Sequence, residues 1–254
     1  MRPVPAGPEG HMEAVPVLGA LSALVVASEV LGRLGLSLFL PAFSSVAAVW
    51  WQVLVTGPLL PALLKSLESY VKGMVPAVAA GVVAGLLLGR YRWLGEVFDP
   101  FLNMMMSAPL AGFIPILMAI FGISDTVVVL TVFLFSFFII LVNTRTGLQG
   151  TPRSLVEMAR SLGATDVQIL TRIYFFAALP AMMVGVRLGA VNGVKGLVVG
   201  EMLIALVGMG ELLIRYGNTF LINHLYAVIL TILGLALTVS LAIQALDRLA
   251  IRWK

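Results

Sequence analysis

The 254-residue chain has no cysteine, two histidines and few charges, with Asp, Glu, Lys and Arg together making up 11% of it. Each shortage excludes something. Without cysteine there is no disulfide framework, no thiolate-ligated zinc or iron–sulfur cluster and no thiol nucleophile. His11 and His224 are too few for a His-built metal site. Twelve methionines, Met104 to Met106 among them, therefore read as adaptable apolar packing rather than a soft-metal path. The charge deficit decides more. A soluble domain carries about 25% charged and about 45–50% apolar residues. Here 60% are apolar and the mean hydropathy is +1.06, so the solvent is lipid and a water-soluble enzyme is excluded. No GxxxxGK[ST] loop is present, so the chain does not bind ATP through a P-loop of its own. No HExxH, Ser/His/Asp or paired-carboxylate pattern stands out either, which leaves an intramembrane enzyme without a nucleophile–base pair.

What is present is a series of long charge-free stretches. A helix needs about 20 apolar residues to cross about 30 Å of hydrocarbon. The gaps at 73–89, 100–124, 126–144 and 216–246 meet or approach that length. A fifth candidate, 14–31, is interrupted only by Glu29, and a sixth, about 173–205, carries Arg187, Lys195 and Glu201. No period-two alternation runs through them, so helices are expected rather than a membrane barrel. The expectation is an all-α membrane protein of about six spans.

With the N-terminus inside, Arg2, Arg90, Arg92, Arg145, Arg153, Arg160, Arg172, Arg248, Arg252 and Lys254 fall on the cytoplasmic side. Arg33, Lys65, Lys72 and Arg215 fall outside. The positive-inside bias then places both termini in the cytoplasm and absorbs the net charge of +4 without a nucleic-acid partner. The first apolar run has one preceding basic residue and no clear small-x-small cleavage site, so it reads as an uncleaved span rather than a signal peptide. Four regions follow: a disordered, Pro/Gly-rich cytoplasmic N-terminus at 1–13, a first span with an outer-surface segment at 14–70, a core at 71–248 and a cytoplasmic tail at 249–254. In the outer segment Trp50 and Trp51 suit the interfacial aromatic belt, which predicts a helix lying at the outer membrane surface.

The core contains one long cytoplasmic connection, about 145–172, which reads as an elbow. Thr151-Pro152 favours a helix start, and Ser154 with Glu157 fits a capping box. Leu155, Ala159 and Leu162 give an apolar stripe, Gly163 provides a left-handed stop, and Val167, Leu170 and Tyr174 begin a second stripe. Such a corner, exposing small and apolar side chains to the cytosol, is a natural docking surface.

At this point the sequence resembles the permease subunits of binding-protein-dependent ABC importers. Their motif is Glu-Ala-Ala, three residues, Gly, nine residues, Ile, any residue, Leu-Pro. Glu157, Ala159, Gly163 and Ile173 stand at matching positions, Met158 replaces the central alanine, and Phe175-Phe176 replace Leu-Pro, which recurs one turn later as Leu179-Pro180. "ARSLGA" followed by "AALP" is most similar to the taurine, aliphatic sulfonate and nitrate branch, and the resemblance runs from about residue 60 to the C-terminus. It implies a type I (MetI-like) permease fold with no catalytic residue of its own. It also implies a homodimer working with two copies of a cytoplasmic ATPase, which binds the ATP and Mg, and with an extracytoplasmic binding protein, in a bacterial or archaeal cell membrane. Glu157, Met158, Ala159, Gly163 and Ala164 would couple to the ATPase. The implied cargo is a small anion such as taurine, an aliphatic sulfonate or nitrate. The alternative is a vitamin precursor, a thiamine-type pyrimidine or riboflavin. "GMGELL", 208–213, resembles the family's outer segment before the last span, where a short helix helps close the outside gate.

Arg187, Lys195 and Glu201 share the fifth span. Ionisable groups at depth face protein or a water-filled path, so this helix is expected to be interior. On one straight helix Arg187 and Glu201 are roughly 21 Å apart along the axis and cannot pair. Either they pair with neighbouring helices, or they belong to a path for an anion with Lys195 near mid-depth. An ion-coupled carrier or channel using the same three residues is the rival class. Gly81/Gly85 and Gly185/Gly189/Gly193 predict close helix packing, and Pro109 and Pro115 an interrupted third span.

Overall fold

A computed structural model of the protein describes residues 14–35 and 39–250. The regions expected to be a disordered N-terminus, 1–13, and most of the tail, 251–254, lie outside them. Every regular element among the described residues is helical. In chain order these are α1 (Ala14–Arg33), α2 (Phe43–Val55), α3 (Leu59–Arg90), α4 (Arg92–Ser107), a 3₁₀ turn (Leu110–Phe113), α5 (Ile114–Phe121), α6 (Asp125–Gln149), α7 (Arg153–Ser161), α8 (Asp166–Ile204), α9 (Gly208–Asn218) and α10 (Ile222–Ala250). A π-helical segment, Leu170–Tyr174, lies within the first turns of α8.

Among the described residues four single helices are long and apolar enough to cross a membrane: α3, α6, α8 and α10. The bent pair of α4 with the 3₁₀ turn and α5 counts as a fifth, and the first expected span coincides with α1, a helix of 20 residues. The third span is interrupted as expected, by a 96° bend. Pro109 sits at the break and Pro115 in the first turn of α5, where a missing N–H costs nothing.

Helix α6 is the centre of the bundle. In lipid, helices associate by close van der Waals fit, so small residues mark the contacts. Gly73, Gly81 and Gly85 of α3 meet α6 in rising order. A Cβ on Gly73 would sit 2.6 Å from the Val129 carbonyl, one on Gly81 2.9 Å from Ile140, and one on Gly85 2.6 Å from Thr144. The two helices are therefore parallel. Gly185, Gly189, Gly193 and Gly196 of α8 meet Asn143, Ile140, Ser136 and Phe135 in falling order, so α8 runs antiparallel to α6. The glycine spacing in the sequence thus marks two seams on either side of one helix.

The expected outer segment, up to residue 70, runs into the core at residue 59. Residues 59–70 are continuous with the core helix as the first turns of α3, where Lys65, Glu68 and Lys72 pair among themselves and with Asp125 at the start of α6. Their charges are matched locally, so the helix continues through them. The helix expected to lie flat is α2, and it packs on α10: Trp50 Nε1 donates to Thr231 Oγ1 at 2.9 Å, while Trp51 stays exposed.

Candidate functional site

Helix α7 begins directly after Pro152, whose fixed φ aims the chain into the first turn. The expected Ser154–Glu157 capping box does not form: Ser154 lies one residue inside the helix, too late to cap it. The helix ends at Gly163, with φ +79. Gly163 N–H donates to Arg160 O and Ala164 N–H to Ala159 O, both at 3.0 Å, which is the Schellman arrangement that satisfies the last carbonyls. A reciprocal capping box opens α8 instead. The Gln168 N–H donates to Thr165 Oγ1, and the Thr165 N–H donates to Gln168 Oε1. Thr-x-x-Gln before an apolar run is the sequence signal for this box.

Val156 and Ala159 are buried against Ile169, with Ala164 and Tyr174 packed around them. Of the expected apolar stripe Ala159 is buried, whereas Leu155 and Leu162 are 41% and 81% exposed, and Met158 between them is 56% exposed. A nine-residue helix spaced i, i+4, i+7 offers more than one apolar face, and the corner at Gly163 selects the one bearing Val156. Of the second stripe, Val167 is exposed, while Leu170 and Tyr174 are half-buried. The outcome is an exposed apolar ridge of Leu155, Met158 and Leu162. Glu157 is exposed beside it, Ala159 and Ala164 line the inner side, and Gly163 makes the turn.

Ion pairs fasten this corner to the ends of the spans. Arg90, the last residue of α3, donates to Asp166 Oδ1 at 2.9 Å, and its guanidinium lies over the Tyr174 ring. Arg160 of α7 approaches the same carboxylate at 3.7 Å. Near the end of α6, Arg145 forms a two-pronged pair with Asp99 of α4, with Nη2 to Oδ2 at 2.9 Å. The Arg90–Asp166 and Arg145–Asp99 pairs join residues 76 and 46 positions apart, so no sequence spacing points to them.

The three ionisable residues of α8 are not brought together. Lys195 is exposed on a face carrying Val184 and Leu188, turned roughly 120° from the glycine seam. Its Nζ lies 3.4 Å from Asn192 Oδ1. Arg187 is half-buried. Glu201 is completely buried, its Oε1 accepting from Ser66 Oγ of α3 at 2.6 Å and its Oε2 from the Gly210 N–H of α9 at 2.9 Å. It faces neighbouring helices rather than open space.

Residues 77–252 match the family described as the inner membrane component of binding-protein-dependent transport systems. The chain belongs to that family. This permease is similar to the riboflavin transport system permease protein RibX of Chloroflexus aurantiacus, 31% identical over 85% of this chain and 80% of that one. The putative aliphatic sulfonates transport permease protein SsuC of Bacillus subtilis is 25% identical over 92% and 86%. The taurine transport system permease protein TauC of Escherichia coli is 26% identical over 75% and 70%. In architecture the permease matches a chain of the MetNI methionine ABC transporter in an inward-facing form, with a TM-score of 0.64 at 18% identity over 76% of this chain and 95% of that one. The expected MetI-like, all-α fold is therefore the observed one. The permease is a multi-pass membrane component of an ABC importer that works with a substrate-binding protein.

Proposed function

We propose that the chain is the translocation subunit of an ATP-driven importer in which two identical copies stand over two cytoplasmic ATPase subunits. The observation that carries this reading is the exposed ridge of Leu155, Met158 and Leu162 on a corner pinned to the ends of α3 and α8. Among the described residues nothing covers the ridge, and a partner moving against it would push on two spans at once. Gly163 sets the corner angle, Ala159 and Ala164 keep its inner side thin, and Glu157 and Met158 meet the partner. ATP and magnesium belong to that partner. The basic residues near the elbow support a reading with both termini in the cytoplasm.

The cargo we infer is a small anion of the taurine, sulfonate or nitrate kind. Lys195 supports this: it is an exposed cation within a spanning helix, beside Asn192, and a charge at that depth needs water, an anion or a second subunit to face it. Arg187 adds positive potential to the same helix. A second reading, import of a riboflavin-like vitamin precursor, is favoured by the 31% identity to the riboflavin permease over most of the chain. Vesicles containing the permease, its ATPase and its binding protein separate these readings. ATP-dependent uptake of labelled taurine or an alkanesulfonate, blocked when the ATPase is omitted, is expected. Uptake by the permease alone, driven by an ion gradient, overturns the importer reading in favour of a secondary carrier.

A further inference from the structure

Helix α9 is an 11-residue piece hung between two bends. On one side the chain passes through Ala205 (φ +47), an extended Val207 and Gly208 (φ +81). On the other it passes through Phe220 (φ +54). Two of these left-handed residues are not glycine, so both links hold strained backbone of the kind found where a segment reorients. Val207, at the N-cap, has no side chain able to accept the free N–H groups of the first turn. Those groups are met from elsewhere. Ser66 of α3 accepts the Met209 N–H at 3.0 Å, and Glu201 of α8 accepts the Gly210 N–H at 2.9 Å, while the two side chains bond each other. Ser66 and Glu201 are both fully buried. A Cβ at Gly208 would run into the Glu201 carboxylate, and one at Gly210 into Glu201 Cβ and the α8 backbone at Met202.

We propose that Glu201 is a positioning residue that latches α9, as a movable lid, onto the outer ends of α3 and α8. The latch is strong because its parts depend on one another. Lifting α9 removes the peptide donor from Oε2 and the Met209 link from Ser66. The carboxylate then keeps only the Ser66 hydroxyl until water reaches it, so opening breaks both links together. The lid therefore stays shut until a load from the rest of the assembly separates α8 from α9. On the importer reading, on which this consequence rests, the latch keeps the outer side closed until the cargo-loaded binding protein arrives.

The absence of native cysteine makes the test direct. Leu212→Cys places a thiol on the buried face of α9, where the native side chain is 1% exposed, and Val128→Cys places a control in α6, at 0%. Membranes holding the permease with its ATPase are labelled with a membrane-impermeant maleimide in the Glu201, Glu201→Gln and Ser66→Ala backgrounds. The glutamine variant keeps the shape but loses the charge and one acceptor, so labelling at position 212 is expected to rise about tenfold, the equivalent of about 1.4 kcal/mol. The control stays slow, and ATP hydrolysis without the binding protein rises in parallel. Ser66→Ala, which leaves the carboxylate in place, is expected to give a smaller rise. Equal labelling at position 212 in all three backgrounds, or equal acceleration at both positions, overturns the latch. Either result leaves the importer reading standing as long as the unsubstituted chain shows ATP-dependent uptake, and loss of that uptake is a separate failure.

Discussion

Replacing Gly163 with valine strains the elbow with no steric clash, so the result depends on backbone conformation alone. A Cβ built at this position meets nothing within 4 Å, and φ is +79. The cost of holding an L-residue in the left-handed region is about 1–2 kcal/mol, and a β-branched side chain lies at the upper end. If the corner is the surface the ATPase grips, that cost appears as a fall of about 5- to 30-fold in the affinity of the two subunits. The Schellman pair from Gly163 to Arg160 and from Ala164 to Ala159 is lost whenever the corner relaxes. Asparagine, which tolerates this region, is the control and is expected to retain most of the affinity. The assay is titration of detergent-solubilised permease with its ATPase, alongside uptake in vesicles and the melting temperature of the permease alone. The melting temperature is expected to change little, because the turn lies outside the spans. Wild-type affinity and transport in the valine variant would refute the reasoning.

The seams, the ion pairs and the charged face of α8 give further expectations. Gly189→Val drives a side chain into Ile140, whose Cγ1 lies 2.7 Å from the built Cβ. Overpacking of this kind costs about 1–3 kcal/mol, so the melting temperature and yield are expected to fall, whereas Gly217→Ala, with open space around it, leaves both unchanged. Asp166→Arg removes the partner of Arg90 and is expected to slow uptake, by less than about fivefold because the carboxylate is 73% exposed. Restoration of uptake by the exchanged pair Arg90→Asp with Asp166→Arg checks that the contact itself matters. Lys195→Ala is expected to raise the KM for an anionic cargo and leave ATP hydrolysis in place. An unchanged KM for the true cargo counts for the vitamin reading or for a structural role of this lysine.

The spans were legible because lipid imposes one rule on long stretches: charges are scarce, and helix length follows from membrane thickness. The charge gaps located α3, α6 and α10, the apolar run around Arg187, Lys195 and Glu201 located α8, Pro109 marked the break in the third span, and the small-residue spacing marked both seams on α6. Boundaries were less legible where charges neutralise one another. Lys65, Glu68 and Lys72 looked like the end of a span yet lie inside α3, because their partners, including Asp125, sit beside them. In the elbow, Gly163 was readable from its residue type, but the buried face was not: Leu155 and Val156 are adjacent, and the packing of Ile169 from the following helix chooses between them. Glu201 was legible as costly and therefore important. Its bonds to Ser66 and Gly210 follow no sequence spacing, since they arise where three elements converge.

The wide π turn at Leu170–Tyr174 sits between the elbow and the glycine seam of α8. It holds one residue more than an α-helical turn would need. Deleting that residue would let a regular helix run from Asp166 onward, at the price of turning everything beyond it by about 100°. Gly185, Gly189 and Gly193 would then swing off α6, or the corner bearing Leu162 would swing away from its present bearing. Chain length in this short stretch thus sets the phase between the corner at Gly163 and the glycine seam beyond it, and a single-residue deletion there should be far less tolerable than most point substitutions in the same turn.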